Sequence, residues 1–203
     1  MLTYFPAQRI PGAIAIAAPG RKPLTYSRLL IEVDRAVKTL NAAGIGRNDR
    51  VAVVLPNGPE MAVAFLSIAT AATCAPLNPA YTASEFDFYI SDLNAKALIV
   101  QSDIDSPAIA VAQKHGIPIL KTSTVLEEAG IFTLTTEGST RPQCAAFPQQ
   151  TDIALVLHTS GTTSRPKLVP LTQANRSIVR KGAFRMESLW ADGDHHLVNR
   201  SQS

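Results

Sequence analysis

Charge, aromatic rings and cysteine are all scarce in this chain of 203 residues. Charged residues make up 17% of it and aromatics 6%, with Lys plus Arg exceeding Asp plus Glu by only 19 to 16. A formal charge of +3, with no run of Lys and Arg interleaved with aromatics, lacks the footprint of a phosphate-backbone binder, so no nucleic-acid partner is expected. Long apolar runs are missing too. The richest, Met61 to Ala75, is too short to span a bilayer, and the N-terminus lacks the basic start and apolar block of a signal peptide. No membrane partner is expected, and the expected location is cytoplasmic. Cys74 and Cys144 stand far apart in no metal-like spacing, and two cysteines in a chain this long read as reduced, buried thiols rather than a disulfide framework.

What is present is a hydrophobic share of 46%, enough for the core of one large domain or two small ones. Apolar residues at Leu29, Leu30, Val33, Val37 and Leu40 share one helical face, and Gly44 supplies an easy left-handed stop, which predicts a helix over Thr25–Ala43. Arg50–Leu55 reads as a buried strand and Pro59–Ala72 as a nearly all-apolar helix that must be covered on most of its surface. After a loop containing Pro76 and Pro79, the pattern predicts a helix from about Ser84, a strand at Ala97–Val100, a helix at Ser106–His115 and a strand at Ile117–Leu120. Short apolar strands alternating with helices predict an α/β fold with a mainly parallel, doubly wound sheet flanked by helices, because parallel strands need long crossovers. Residues 121–150 are rich in Thr, Ser, Gln and Pro and read as a surface excursion.

Ile153–Leu157 is a further buried strand, and it runs into Thr159-Ser160-Gly161-Thr162-Thr163-Ser164-Arg165-Pro166-Lys167. Hydroxyls and backbone N–H groups around Gly161 can converge on an anion that the Lys167 ammonium neutralises, which suits a polyphosphate. An ordinary polar turn uses the same residue types, so the order of residues decides. A Walker loop requires a second glycine just before the lysine, where Pro166 stands, and the only Gly-x-Gly, at Gly44 and Gly46, precedes a strand instead of following one. The stretch Val169–Val179 reads as the start of a helix capped by Thr172. Past Asn175 the pattern loses both periods, which divides the chain into an ordered part, 1–175, and an irregular tail, 176–203, either disordered or out of register with what precedes it.

The run Thr159 to Lys167 resembles the phosphate-binding signature of the adenylate-forming, or AMP-binding, superfamily that includes acyl-CoA synthetases. The usual form is TSGTTGxPKG, and TSGTTSRPKL departs from it at Ser164 and Leu168. The longer string HTSGTTSRPKLVPLTQ, from His158 to Gln173, is similar to the branch containing oxalate–CoA ligases. Leu24-Thr25-Tyr26, Val51–Asn57 and Ala75–Pro79 agree with the resemblance, which covers about residues 10 to 175. It implies that Thr159, Ser160, Gly161, Thr162, Thr163 and Lys167 hold the β and γ phosphates of ATP. It also implies an acid–thiol ligase that joins a small carboxylate to coenzyme A through an acyl-adenylate, with Mg2+ accompanying the nucleotide.

The later motifs of that family, for the acyl pocket, the adenine and the ribose, and its small C-terminal domain, do not occur in this sequence. The expectation is therefore an N-terminal portion without the full catalytic machinery, completed by a separately encoded remainder or retained as a non-catalytic nucleotide-binding or interaction module. A sheet stopping at the phosphate-loop strand would leave an uncovered edge and poor solubility. No catalytic residue is assigned. His158 reads as structural, since an ionised carboxylate needs no base. His195 and His196 read as a solvated pair without a third metal ligand, and Glu85, Asp87 and Asp92 as exposed charges near a helix start.

Overall fold

A computed structural model describes residues 11–136, 148–159 and 166–175. Its elements are β1 (Ile14–Ile16), β2 (Leu24–Thr25), α1 (Tyr26–Ala42), β3 (Arg50–Val54), α2 (Pro59–Ala71), β4 (Thr73–Pro76), α3 (Ala83–Asp92), β5 (Ala97–Gln101), α4 (Pro107–Lys114), β6 (Ile119–Thr124), β7 (Phe132–Thr136), β8 (Ile153–Thr159) and β9 (Lys167–Thr172). The irregular tail and Cys144 lie outside the described residues.

Local chemistry sets the helix boundaries. The Thr25 hydroxyl accepts from the Arg28 amide at 3.3 Å, opening α1, and Gly44 at φ 76° follows its C-cap, Ala43. Pro59 begins α2, where its missing N–H costs nothing. Thr82 and Glu85 form a reciprocal capping box on α3, and Ser106 caps α4.

Seven strands form one sheet in the order β7-β6-β5-β3-β4-β8-β9. The inner five, β6, β5, β3, β4 and β8, are parallel; β7 and β9 pair antiparallel at the two ends. The connection β3–α2–β4 steps one way across the sheet, whereas β4–α3–β5 steps back over β3, which sends the two helices to opposite faces. Side chains obey that division with the period of two. Val51 and Val53 of β3 enter a core with Leu29, Val33, Leu40, Met61 and Ile68 of α1 and α2. Ala52 and Val54 enter a second core with Phe86 and Ile90 of α3 and Ala108 and Val111 of α4. Each fully buried Leu, Ile or Phe here contributes about 1.5–3 kcal/mol.

Four local expectations need correction. The loop expected around Pro76 begins with a strand, β4, whose small residues Cys74 and Ala75 are buried between β3 and β8. The strand expected at Ile117–Leu120 begins at Ile119 and extends to Thr124, and its polar end pairs with β7, so the excursion at 121–150 contributes a hairpin to the sheet. The helix expected over Val169–Val179 is strand β9 as far as Thr172, which lies alongside β8. Pro170 is tolerated because an edge strand needs no outward ladder bond. The Thr172 cap itself is present: its hydroxyl accepts from the Asn175 amide at 3.2 Å, and a helical turn starts at residues 173–175. With β9 in place, β8 is not the edge of the sheet.

Candidate functional site

Because the five inner strands are parallel, their carboxyl ends gather on one edge of the sheet, the edge where open α/β sheets hold ligands. The serine- and threonine-rich loop leaves from that edge at Thr159 and returns at Lys167. These two residues face each other across β8 and β9, with the Lys167 amide 3.4 Å from the Thr159 hydroxyl. Of the sequence-predicted residues, Thr159 and Lys167 are thus brought together, both exposed at the mouth of the loop. Ser160, Gly161, Thr162 and Thr163 lie outside the described residues.

The strand carrying this loop is fixed at both ends. At its start, Asp152 accepts two bonds from Arg47, at 2.5 and 2.7 Å, and one from the Gln149 amide at 2.7 Å. The Arg47 bonds, above all, hold its carboxyl below the usual carboxylate range. The Thr73 hydroxyl also donates to the Ile153 carbonyl at 2.7 Å, tying β8 to β4.

At the loop end, the His158 side chain is only 5% exposed. Its Nε2 lies 3.3 Å from Asp92 Oδ2, and its ring meets Tyr89 edge-on with centroids 4.5 Å apart. Tyr89 stacks in turn on Tyr81 at 4.8 Å and 20°. Burial lowers the imidazole pKa, opposed in part by Asp92, and burial raises the Tyr81 hydroxyl to about 12. Both rings are therefore neutral near pH 7.

The helix charges differ in role. Glu85 completes the α3 capping box as a first-turn charge. Asp87 bonds Lys114 at 3.0 Å and His115 at 2.7 Å, and Asp92 is the last residue of α3 rather than near its start. Glu85 and Asp92 are thus exposed helix charges as expected and Asp87 is half-buried, while the expected place near the helix start is corrected for Asp92. Sequence reasoning missed the Asp92 and Tyr89 contacts to His158, which no short-range spacing signals. His195 and His196 lie outside the described residues.

A cavity of about 180 Å3 lies between α1 and β7, lined by Glu32, Arg35, Thr39, Gly130, Phe132 and Leu134 among others. It sits toward the opposite end of the sheet from β8, and the buried Glu32 carboxylate there is already held by Arg35 at 2.6 Å and Arg28 at 3.2 Å. Among the described residues no three His, Cys, Asp or Glu side chains come together as a metal cage. No helix among them is long and apolar enough to cross a membrane. Among the described residues, the edge at β8 presents the Thr159 hydroxyl and the exposed Lys167 at the mouth of the loop.

The family model for AMP-binding enzymes matches residues 6–198. The oxalate–CoA ligase of Arabidopsis thaliana is 41% identical over 174 residues, covering 83% of this chain and 34% of that protein. A probable CoA ligase of Humulus lupulus, CCL9, is 43% identical over 166 residues, covering 79% and 31% respectively. A crystal structure of ATP-bound MatB from Rhodopseudomonas palustris superposes with a TM-score of 0.65 at 25% identity, over 83% of this chain and 34% of that one. The chain spans about a third of the length of these two curated relatives.

Proposed function

The chain belongs to the AMP-binding enzyme family, and on that premise we propose that it supplies the phosphate-holding part of an ATP-dependent acid–thiol ligase. The observation that carries this reading is the position of the serine- and threonine-rich loop: it leaves the carboxyl end of a parallel strand, with Thr159 and Lys167 paired at its mouth. In the proposed reaction a carboxylate oxygen attacks the α-phosphorus of ATP. The bond to the β-phosphate breaks, and pyrophosphate leaves with the electron pair. The thiol of coenzyme A, losing its proton, then attacks the acyl carbon and expels AMP.

The hydroxyls of Thr159, Ser160, Thr162 and Thr163, the backbone around Gly161 and the Lys167 ammonium would orient the β and γ phosphates and offset the charge that collects on the leaving pyrophosphate. Magnesium, carried with the nucleotide, would screen the same phosphate oxygens. The small-acid branch is favoured by the likeness of the His158–Gln173 string to oxalate–CoA ligases and by the 41% identity to one of them. Because the chain spans about a third of such proteins, the adenine, ribose and acyl contacts would come from elsewhere, either from a separately encoded remainder or from further chain.

A second reading is a nucleotide-binding module without turnover. Titration of the protein with Mg–ATP, followed by oxalate-dependent exchange of labelled pyrophosphate into ATP, separates the two. Binding with exchange, alone or after adding the C-terminal part of a relative, supports the ligase; binding without exchange in either case supports the module. Absence of ATP binding would overturn both.

A further inference from the structure

We propose that His158, gripped by Asp92 and the Tyr81–Tyr89 stack, is a positioning residue that fixes the angle at which β8 enters the phosphate loop. The inference rests on the loop reading above only for its consequence for ATP; the grip itself rests on geometry. Thr159 follows His158 directly, and successive strand residues point to opposite faces. With His158 facing α3, the orientation of Thr159 at the loop mouth is set by how firmly its neighbour is held.

An ionised Asp92 can only accept, so Nε2 must carry the proton and donate to Oδ2 across 3.3 Å. That fixes the tautomer and leaves Nδ1 as a bare acceptor. Among the described residues Nδ1 is buried with no hydrogen-bond partner. An orphaned buried nitrogen lowers stability, and an apolar ring of similar shape would remove that cost. Packing alone therefore gives no reason for a histidine here, whereas a directional bond to Asp92 does. Burial keeps the ring neutral; Asp92 and Tyr89 of α3 touch it, and Tyr81 stands behind Tyr89 in the stack.

The grip also complements the other end of the strand. Arg47 and Asp152 hold the start of β8, its middle pairs with β4 at Leu155, and His158 adds a side-chain tether to α3 at the loop end.

The test uses the 203-residue protein, with His158→Phe to keep a buried ring without the donor and His158→Gln to restore a donor near Nε2. Amide hydrogen exchange is measured along β8 and β9, and Mg–ATP affinity by calorimetry. In His158→Phe, exchange at residues 157–159 and 167–169 should quicken roughly tenfold, the loss of ~1.4 kcal/mol of local protection. Amides near Ile153 and Thr172 should be unchanged, as should the global unfolding midpoint. His158→Gln should recover much of the protection, and Mg–ATP affinity should fall and recover in step with exchange. A uniform change along the ladder, or none, overturns the proposal whatever ATP does. If the loop end loosens selectively but the wild-type protein binds no ATP, the grip stands and the phosphate reading fails.

Discussion

Replacing Lys167 with alanine should separate ligand binding from folding. Lys167 contributes to the fold through its backbone, paired with Thr159 at the first position of β9, while its side chain is exposed at the loop mouth. Truncating an exposed side chain whose backbone bonds survive changes stability by no more than about 0.5 kcal/mol. An ammonium bonded to a phosphate is worth about 1.5–3 kcal/mol when well shielded. At this exposed site solvent screening lowers that value to ~1–2 kcal/mol, or roughly 5- to 30-fold in affinity.

The expected result in calorimetry is therefore a 5- to 30-fold weaker Mg–ATP and pyrophosphate dissociation constant, with urea unfolding unchanged. AMP provides the internal control, since it lacks the β and γ phosphates and its affinity should not move. Raising ionic strength should shrink the difference between wild type and variant, because an exposed charge contact is screened. Equal losses for AMP and ATP would refute the assignment of Lys167 to the terminal phosphates. So would an ATP affinity that does not change at all.

Two further predictions concern the fold. Gly130 has φ 79°, and a Cβ there would fall 2.7 Å from Val63 Cγ2 and 3.2 Å from the Pro59 carbonyl, so Gly130→Ala should cost about 2–4 kcal/mol in urea unfolding. A loss under about 1 kcal/mol would contradict the crowding. Asp152 has a lowered carboxyl pKa, so its contribution is complete above the ordinary unfolded value of about 3.9 and is lost as pH falls through the lower folded value. Asp152→Asn should therefore flatten the fall in stability below about pH 4; an acid limb as steep as the wild type's would show that the Arg47 pair does not carry it.

The alternating core was legible because burial and periodicity coincide there. Leu29, Val33 and Leu40 mark the inner face of α1, and the three valines of β3 sit between two helical layers. Caps were legible for the same reason: Thr25 and Ser106 act on amides two or three residues away. What escaped was structure whose pattern depends on distant partners. β4 is four residues ending in Pro76 and becomes a strand only because β3 and β8 flank it. β9 reads Lys-Leu-Val-Pro-Leu-Thr, equally acceptable as a helix start until β8 is available to pair with it. At the candidate site residue order singled out the run from Thr159 to Lys167, whose two described ends meet, whereas the Asp92–His158 contact joins positions 66 apart that no local rule connects.

The place of β8 in the sheet has a consequence for the order of assembly. β3, β4, β5 and β6 follow one another through single helices, so their contacts close short stretches of chain. β8 instead docks on β4 across 80 residues, while its hairpin with β9 closes over eight. Loop-closure entropy favours the short contacts first, so the β8–β9 hairpin should join a sheet already built from β3 to β6 and should also be the first piece to detach. A protein caught in that partly assembled state would keep most of its helix and both central cores yet present no phosphate loop at the sheet edge. On the proposed function, nucleotide binding would then report the last folding step rather than the bulk of the fold.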